Sequence, residues 1–409
     1  MRPFYTLGIQ IYSLAVRLLS LWNPKAKQWI AGRENWRKQL PEINANDQWI
    51  WFHASSLGEF EQGRPLIESI KSAFPENKIL LTFFSPSGFE IRKNYKQADK
   101  IMYLPTDTCR NARLFIEHFK FKAVFFIKYE FWFNYINRLS KARIPLYFIA
   151  VRFRADQHFF KAYGSWFRKH LRQVEHFFVQ DENSKQLLGS IEINEVTVNG
   201  DPRFDRVAEI AKQAARFPEV EKFIGNRKAL IAGSSWPPDE QLLIPFLADL
   251  PADYCFIIAP HDVSKSHIKQ IENALPEKAQ LYSKFADPFA SRILIIDQIG
   301  ILSQLYQYAQ IAYIGGGFGK AIHNIQEAVT FGVPVLFGPN HQQFNEAVDL
   351  VNLGGAFSIS NADELKTQLL KLINDEKYRR QAASVCKKYV EDQLGATAKI
   401  MDYLMLHWR

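Results

Sequence analysis

From residue 49 onward the chain alternates short apolar runs with longer segments of helical length. The runs at 49–54, 79–84, 123–128, 146–151, 176–180 and 196–200 are strand-sized and almost continuously apolar. Strands of that kind are buried on both faces, as in parallel sheets whose crossovers are helices. Segments such as 60–73 and 107–120 supply the crossovers. Residues 205–227 are rich in Ala, Lys and Glu and carry no strand signal, so 206–227 reads as a connection between domains. A second series follows, with strands at 229–234, 254–259, 293–297, 311–314 and 334–337, and residues 363–409 are helical in composition. The pattern predicts an α/β fold of two doubly wound domains, 39–205 and 228–385, leaving a cleft between them. In such sheets ligands bind beyond the carboxyl ends of the strands, so the informative residues are expected in the loops that follow them.

The first 38 residues break this pattern. Residues 4–22 are mostly apolar, interrupted by Thr6, Gln10, Ser13, Arg17 and Ser20, and followed by Lys25, Lys27, Arg33, Arg37 and Lys38. No small-residue cleavage site ends the apolar stretch, which argues against a cleaved signal peptide. A spanning helix with Arg17 snorkelling and an interfacial helix with a basic flank both fit. The expectation is a membrane-associated segment, 1–38, on the cytoplasmic side, where basic flanks stay.

Composition narrows the classes further. The chain has 409 residues with 51 Lys and Arg against 42 Asp and Glu, a net charge of +9. A hydrophobic share of 47% excludes wholesale disorder. The 3 cysteines, Cys109, Cys255 and Cys386, form no metal-ligand spacing, which excludes a disulfide scaffold and a zinc ribbon. The positive charges are scattered and no nucleic-acid motif occurs, so no nucleic-acid partner is expected.

Four loops after strands carry candidate chemistry. In His53-Ala54-Ser55-Ser56-Leu57-Gly58-Glu59 a strand ends and a carboxylate opens a helix. The helix dipole favours its ionised form, the form a general base needs. Thr82-Phe83-Phe84-Ser85-Pro86-Ser87-Gly88 offers hydroxyls for a ligand or a helix cap. Ile314-Gly315-Gly316-Gly317-Phe318-Gly319-Lys320, followed by His323, Asn324 and Glu327, suits a phosphate on the next helix N-terminus, with Glu327 accepting from ribose hydroxyls. It fails the Walker A pattern and the dinucleotide fingerprint, so neither an ATPase nor an NAD enzyme is supported. Gly338-Pro339-Asn340-His341-Gln342-Gln343-Phe344-Asn345 is expected beside it. Gly233-Ser234-Ser235-Trp236-Pro237 and Ala259-Pro260-His261-Asp262 have the look of further ligand edges. No Asp-x-Asp and no Gly-x-Ser-x-Gly occur, so neither a metal-held sugar nucleotide nor a hydrolase elbow is supported.

Taken together and in this order, the loops resemble the 3-deoxy-D-manno-octulosonic acid (Kdo) transferase family of lipopolysaccharide assembly. Ser56–Glu59 is similar to its catalytic loop, Thr82–Gly88 to its Thr-x-Thr-Pro-Thr-Gly segment, and Asn199–Asp205 to its Gly-Asn-x-Lys-Phe-Asp segment. Gly315–Phe318 with His323, Asn324 and Glu327 resembles its donor-nucleotide motif. The resemblance implies two Rossmann-like domains in the GT-B arrangement, with the helix 386–409 packing back on the first. It implies inverting transfer of Kdo from CMP-Kdo to a hydroxyl of a lipid A precursor, without a metal or other cofactor. Glu59 would be the base and Glu130 its support. Ser234, Ser235, His261, Gly316, Gly317, His323, Asn324 and Glu327 would meet the donor, and Ser55, Ser56 and Arg152 the acceptor. The expected location is the cytoplasmic face of the inner membrane.

The sequence departs from the family where Lys128-Tyr129-Glu130-Phe131-Trp132 retains one of two carboxylates, and where Ala259-Pro260-His261 lacks an arginine. Arg203 and Lys320 are candidates to replace that phosphate contact. The alternatives are a GT-B transferase or epimerase that uses a UDP-sugar.

Overall fold

The computed structural model describes residues 1–287 and 290–408. The chain forms two compact units, residues 1–205 with 395–409, and residues 206–394.

The first unit is built on β1 (Trp49–Ala54), β2 (Lys78–Phe83), β3 (Lys100–Tyr103), β4 (Phe121–Ile127), β5 (Leu146–Val151), β6 (His176–Val179) and β7 (Val196–Val198). These make one parallel sheet in the order β3-β2-β1-β4-β5-β6-β7. All six residues of β1 are buried, which is why it reads as an unbroken apolar run. Alternate residues serve opposite faces. Trp51 packs with Leu80 and Phe126 on one side, Phe52 with Leu81 and Phe125 on the other.

The second unit repeats the plan with β8 (Lys228–Ser235), β9 (Tyr254–Pro260), β10 (Gln280–Leu281), β11 (Ile293–Ile295), β12 (Ala309–Ile314), β13 (Val335–Phe337) and β14 (Ala356–Ser358). Its parallel order is β10-β11-β9-β8-β12-β13-β14. Leu230, Phe256, Ile295 and Tyr313 are among its core residues.

The sequence pattern misses three strands, β3, β10 and β14. Each lies at a sheet edge. Edge strands are short and partly solvated, so they lack the apolar run that marks the interior ones. In both sheets the strand order reverses once, between β1 and β4 and between β8 and β12, and these are the positions where doubly wound sheets bind ligands.

The chain ends in two helices where one is expected from residue 386. Glu376–Gln393 belongs to the second unit and Ala396–His407 to the first. Gly395, at φ +90°, makes the break, a conformation that an L side chain resists. Asp205 then caps the returning helix, accepting from the N–H groups of Gly395 and Thr397, each at 2.7 Å. The Asn199 amide donates to the Ala396 carbonyl at 3.3 Å. Ile400 and Leu404 complete the burial against the core beneath β1. The Asn199–Asp205 segment thus seats the returning helix.

At the other end lie helices α1 (Arg2–Leu19) and α2 (Pro24–Arg33). Tyr5 pins α1 to the sheet by donating to Asp107 Oδ2 at 2.7 Å, and Arg2 Nε donates to Asn134 Oδ1 at 3.0 Å. The opposite face carries Phe4, Leu7, Ile11, Leu14 and Leu18, all exposed and spaced three and four apart. Among the described residues no helix is long and apolar enough to cross a membrane, which removes the spanning alternative.

Candidate active site

The sheet reversal of the first unit brings two carboxylates together. Glu130 follows β4, and its Oε2 lies 2.9 Å from His53 Nε2 and 2.7 Å from Trp132 Nε1. His53 Nδ1 is 2.8 Å from the Thr82 hydroxyl, which accepts from Trp51 Nε1 at 2.7 Å. The Trp51 N–H donates to Thr82 and the Trp132 N–H to Glu130, while His53 Nδ1 lies within reach of both the Thr82 hydroxyl and, at 3.1 Å, the Thr82 carbonyl. His53 and Thr82 are fully buried and Glu130 nearly so. Glu130 is therefore a positioning and electrostatic group held from behind.

Glu59 sits in the first turn of α3 (Leu57–Ala73), directly after β1. It is half-buried and accepts from the Ser55 N–H. Burial, followed by the Glu130 charge, pushes its carboxyl up to about 7. The N–H groups of Ser55 and Ser56 and the charge of Lys128 oppose this only in part. The expectation of a carboxylate fully ionised at neutral pH is thus corrected, because desolvation outweighs the helix N-terminus. A group titrating near 7 accepts and returns a proton with little driving force lost. Lys128, at the end of β4, holds φ +66° and Ala150, in β5, φ +56°. Such non-glycine strain gathers at functional sites.

Other expected groups are already engaged. Arg152 Nε lies 3.1 Å from Asp181 Oδ2, and Asp181 also caps the helix Glu182–Gly189. Arg203 closes a fork on Asp201 at 2.8 and 2.6 Å. Burial alone would raise Asp201, but Arg203 holds it below its ordinary value. Arg203 is therefore withdrawn as a phosphate contact.

At the reversal of the second sheet the groups are rings and glycines. Trp236, after β8, stacks on His261 at 4.4 Å and 20° between planes. His261 meets His323 at 4.7 Å, and Trp236 Nε1 donates to His323 Nε2 at 3.0 Å. Burial, then His261, lowers the pKa of His323. A cavity of about 430 Å³ adjoins these rings, walled also by Gly316, Lys320 and Ala321. Asp239 fixes the wall, accepting from the N–H groups of Trp236 and Gly316, each at 2.9 Å, and from the Tyr313 hydroxyl at 2.8 Å.

Gly316 needs its φ of +93°, and Gly317 packs against the Gly338 backbone, which a Cβ would meet at 2.6 Å. The fourth loop does lie beside the third, and Asn340 ties them by donating to Gly319 O at 2.7 Å. The helix after the glycines, whose N–H groups are expected to take a phosphate, is only one turn, Gln326–Val329. Asn324 donates to Glu327 at 3.3 Å, and burial raises the Glu327 carboxyl. Ser234 holds φ +52°. Ser235 is buried and donates its hydroxyl to Glu240 at 2.9 Å, which removes it from the ligand-facing set.

Sequence reasoning placed His53, Thr82, Trp132 and Trp236 within its segments but gave none of them a role of its own. A signal existed for two of them: His53 is the imidazole in a strand otherwise apolar, and Thr82 the hydroxyl in β2.

Residues 28–206 match the family model for 3-deoxy-D-manno-octulosonic acid transferase. The Kdo transferase of Rickettsia bellii is 25% identical over 375 residues, covering 87% of this chain and 87% of that protein. That of Aquifex aeolicus is 25% identical, covering 80% and 87%. Over residues 28–206, and in these relatives over most of its length, the chain is similar to the Kdo transferase family. That family is one of glycosyltransferases. A bifunctional glycosyltransferase/methyltransferase of Fusobacterium nucleatum is 26% identical over 90% of this chain, which spans 59% of that longer protein. In fold, this chain is similar to UDP-GlcNAc 2-epimerase from Neisseria meningitidis (17% identity, TM-score 0.61, 88% and 100% coverage). It is also similar to Acinetobacter baumannii MurG (15%, 0.57, 88% and 99%). These neighbours share the pair of Rossmann-like α/β domains of the GT-B type.

Proposed function

We propose that this chain transfers Kdo from CMP-Kdo to a hydroxyl of a lipid A precursor, with inversion and without a metal. The observation that carries this reading is Glu59, a half-buried carboxyl near pH 7 at the reversal of the first sheet, raised by a buried Glu130. Its carboxylate accepts the proton of the acceptor hydroxyl as that hydroxyl's oxygen attacks the anomeric carbon. The bond to the CMP phosphate breaks on the opposite face. Glu130, neutralised in part by His53 and Trp132, keeps Glu59 protonatable and is not itself the acceptor of the proton.

On the second unit, Trp236 and His261 offer flat faces to a pyrimidine, which stacking favours. Glu327 and Asn324 are assigned to the ribose. The leaving phosphate is assigned to Lys320 and the Gly316–Gly317 backbone, a preorganised positive surface that needs no metal charge. On the first unit, the Ser55–Ser56 turn is assigned to the acceptor.

The exposed stripe of α1 with the basic residues that follow supports a helix lying in the membrane interface. The proposed location is the cytoplasmic face of the inner membrane, where anionic lipid attracts the basic flank.

The test is transfer from freshly generated CMP-Kdo to a tetra-acylated lipid A precursor, with and without excess chelator. Product in both supports donor, acceptor and metal independence. Absence of product, with thermal protection by UDP in place of CMP, would assign the chain to a UDP-sugar.

A further inference from the structure

A cavity of about 420 Å³ lies in the first unit between α1, α2 and the segment after β3, apart from Glu59. Leu14, Arg17, Trp29, Arg33, Thr106 and Asn111 contribute to its wall. Arg33 decides its character. It is 8% exposed, and its Cζ lies 3.9 Å from the centre of the Trp29 ring. Its N–H groups donate to three neutral carbonyls, Leu104 at 2.8 Å, Trp29 at 3.2 Å and Phe84 at 2.7 Å. Among the described residues it forms no ion pair with a carboxylate, and neither does Arg17 at the rim. The carboxylate of Glu34, also in the wall, is exposed. Burial lowers the Arg33 pKa to about 9. A buried cation without an anion is unfavourable until one arrives.

Other groups in the wall are open to a ligand. Trp29 Nε1 is buried with no hydrogen-bond partner among the described residues. Thr106 Oγ1 accepts from Asn111 at 3.0 Å, which leaves its own proton to donate. Leu14 belongs both to the cavity wall and to the exposed apolar stripe of α1, so the cavity is continuous with a path for hydrocarbon.

We propose that this cavity holds a phosphomonoester headgroup of the acceptor lipid, its acyl chains running along the α1 stripe, an inference that rests on the lipid-acceptor reading. Two guanidinium groups match a monoester's nearly double negative charge better than a diester's single one. The volume is that of a small-ligand site and exceeds what a bare anion needs.

The test uses the full chain and phosphatidylcholine vesicles, either undoped, doped with phosphatidic acid, or doped with phosphatidylglycerol of the same acyl chains. Co-sedimentation is expected to favour phosphatidic acid. Arg17→Ala is expected to weaken that binding about tenfold, a change of ~1.4 kcal/mol, while binding to undoped vesicles stays within about twofold. Arg33→Lys, which keeps the charge and loses the fork, is expected to act in the same direction. Should it fail to fold, Arg17→Ala with its exposed side chain carries the test.

Equal binding to the two doped vesicles, or an equal loss on all three, overturns the site. Release from phosphatidic acid vesicles by millimolar inorganic phosphate assigns the cavity to a soluble anion and overturns the lipid. Thermal protection by CMP is measured on the same variants. A chain that transfers no Kdo yet keeps the Arg17-dependent preference loses the donor reading and keeps this site.

Discussion

The two sheets of this protein reverse their strand order in the same way and fill the reversal with opposite chemistry. Beyond β1 and β4 lie titratable groups: Glu59, Glu130 and His53, backed by Thr82 and Trp132. Beyond β8 and β12 lie flat rings and bare backbone: Trp236, His261, His323 and the Gly316–Gly317 turn. The topology creates a crevice; the residues that end the strands decide whether it moves protons or binds a planar ligand. The first needs burial, because desolvation, with the Glu130 charge beside it, raises a carboxyl at a helix N-terminus to about 7. The second needs exposure, and Trp236 is 40% exposed.

The largest effect separates the two crevices outright. Glu59→Gln is expected to lower transfer by about 10³-fold, within the usual range for general-base loss, with CMP protection unchanged. The same substitution is expected to stabilise the fold. The folded carboxyl titrates at about 7, above its ordinary 4.5. The folded state therefore binds its proton more tightly, and the stability this contributes, full below 4.5, is lost as pH rises through 7. Melting temperature should rise in the variant at about pH 8 and differ little at about pH 4.

Glu130→Gln sharpens the comparison. Removing the neighbouring charge lowers the Glu59 pKa, so the acid limb of the rate profile is expected to move to lower pH. An unmoved limb would mean that burial alone sets Glu59. Trp236→Ala is expected to weaken CMP about tenfold, with Trp236→Phe recovering part, since an aromatic stack is worth ~0.5–1.5 kcal/mol. Neither variant should move the pH profile. The smallest effect lies outside both crevices. Asp205→Ala is expected to destabilise the first unit by ~1–2 kcal/mol through loss of the cap on Ala396–His407, read as a lower melting temperature with CMP binding intact.

The interior strands and both glycine- and serine-bearing loops were legible because each leaves a local mark. A buried parallel strand is an apolar run, and a turn after it needs small residues. The edge strands β3, β10 and β14 left no such mark. Nor did the engagement of the polar candidates. Arg152, Arg203 and Ser235 read as ligand contacts until Asp181, Asp201 and Glu240 are seen beside them. Asn199 and Asp205 read as part of a functional segment, yet they hold the returning helix. Each partner is distant in sequence or reached only through a turn, so no spacing announces it.

The sequence by itself determined the two-sheet α/β class, the loops that carry chemistry and the amphiphilic character of α1, because periodicity and turn chemistry act over a few residues. Tertiary structure alone decided that Glu59 titrates near 7, that His53 and Trp132 hold Glu130 from behind, and that Arg33 is buried with no carboxylate partner among the described residues. Those properties depend on desolvation and on contacts between segments far apart in the chain. Neither is a function of local residue order.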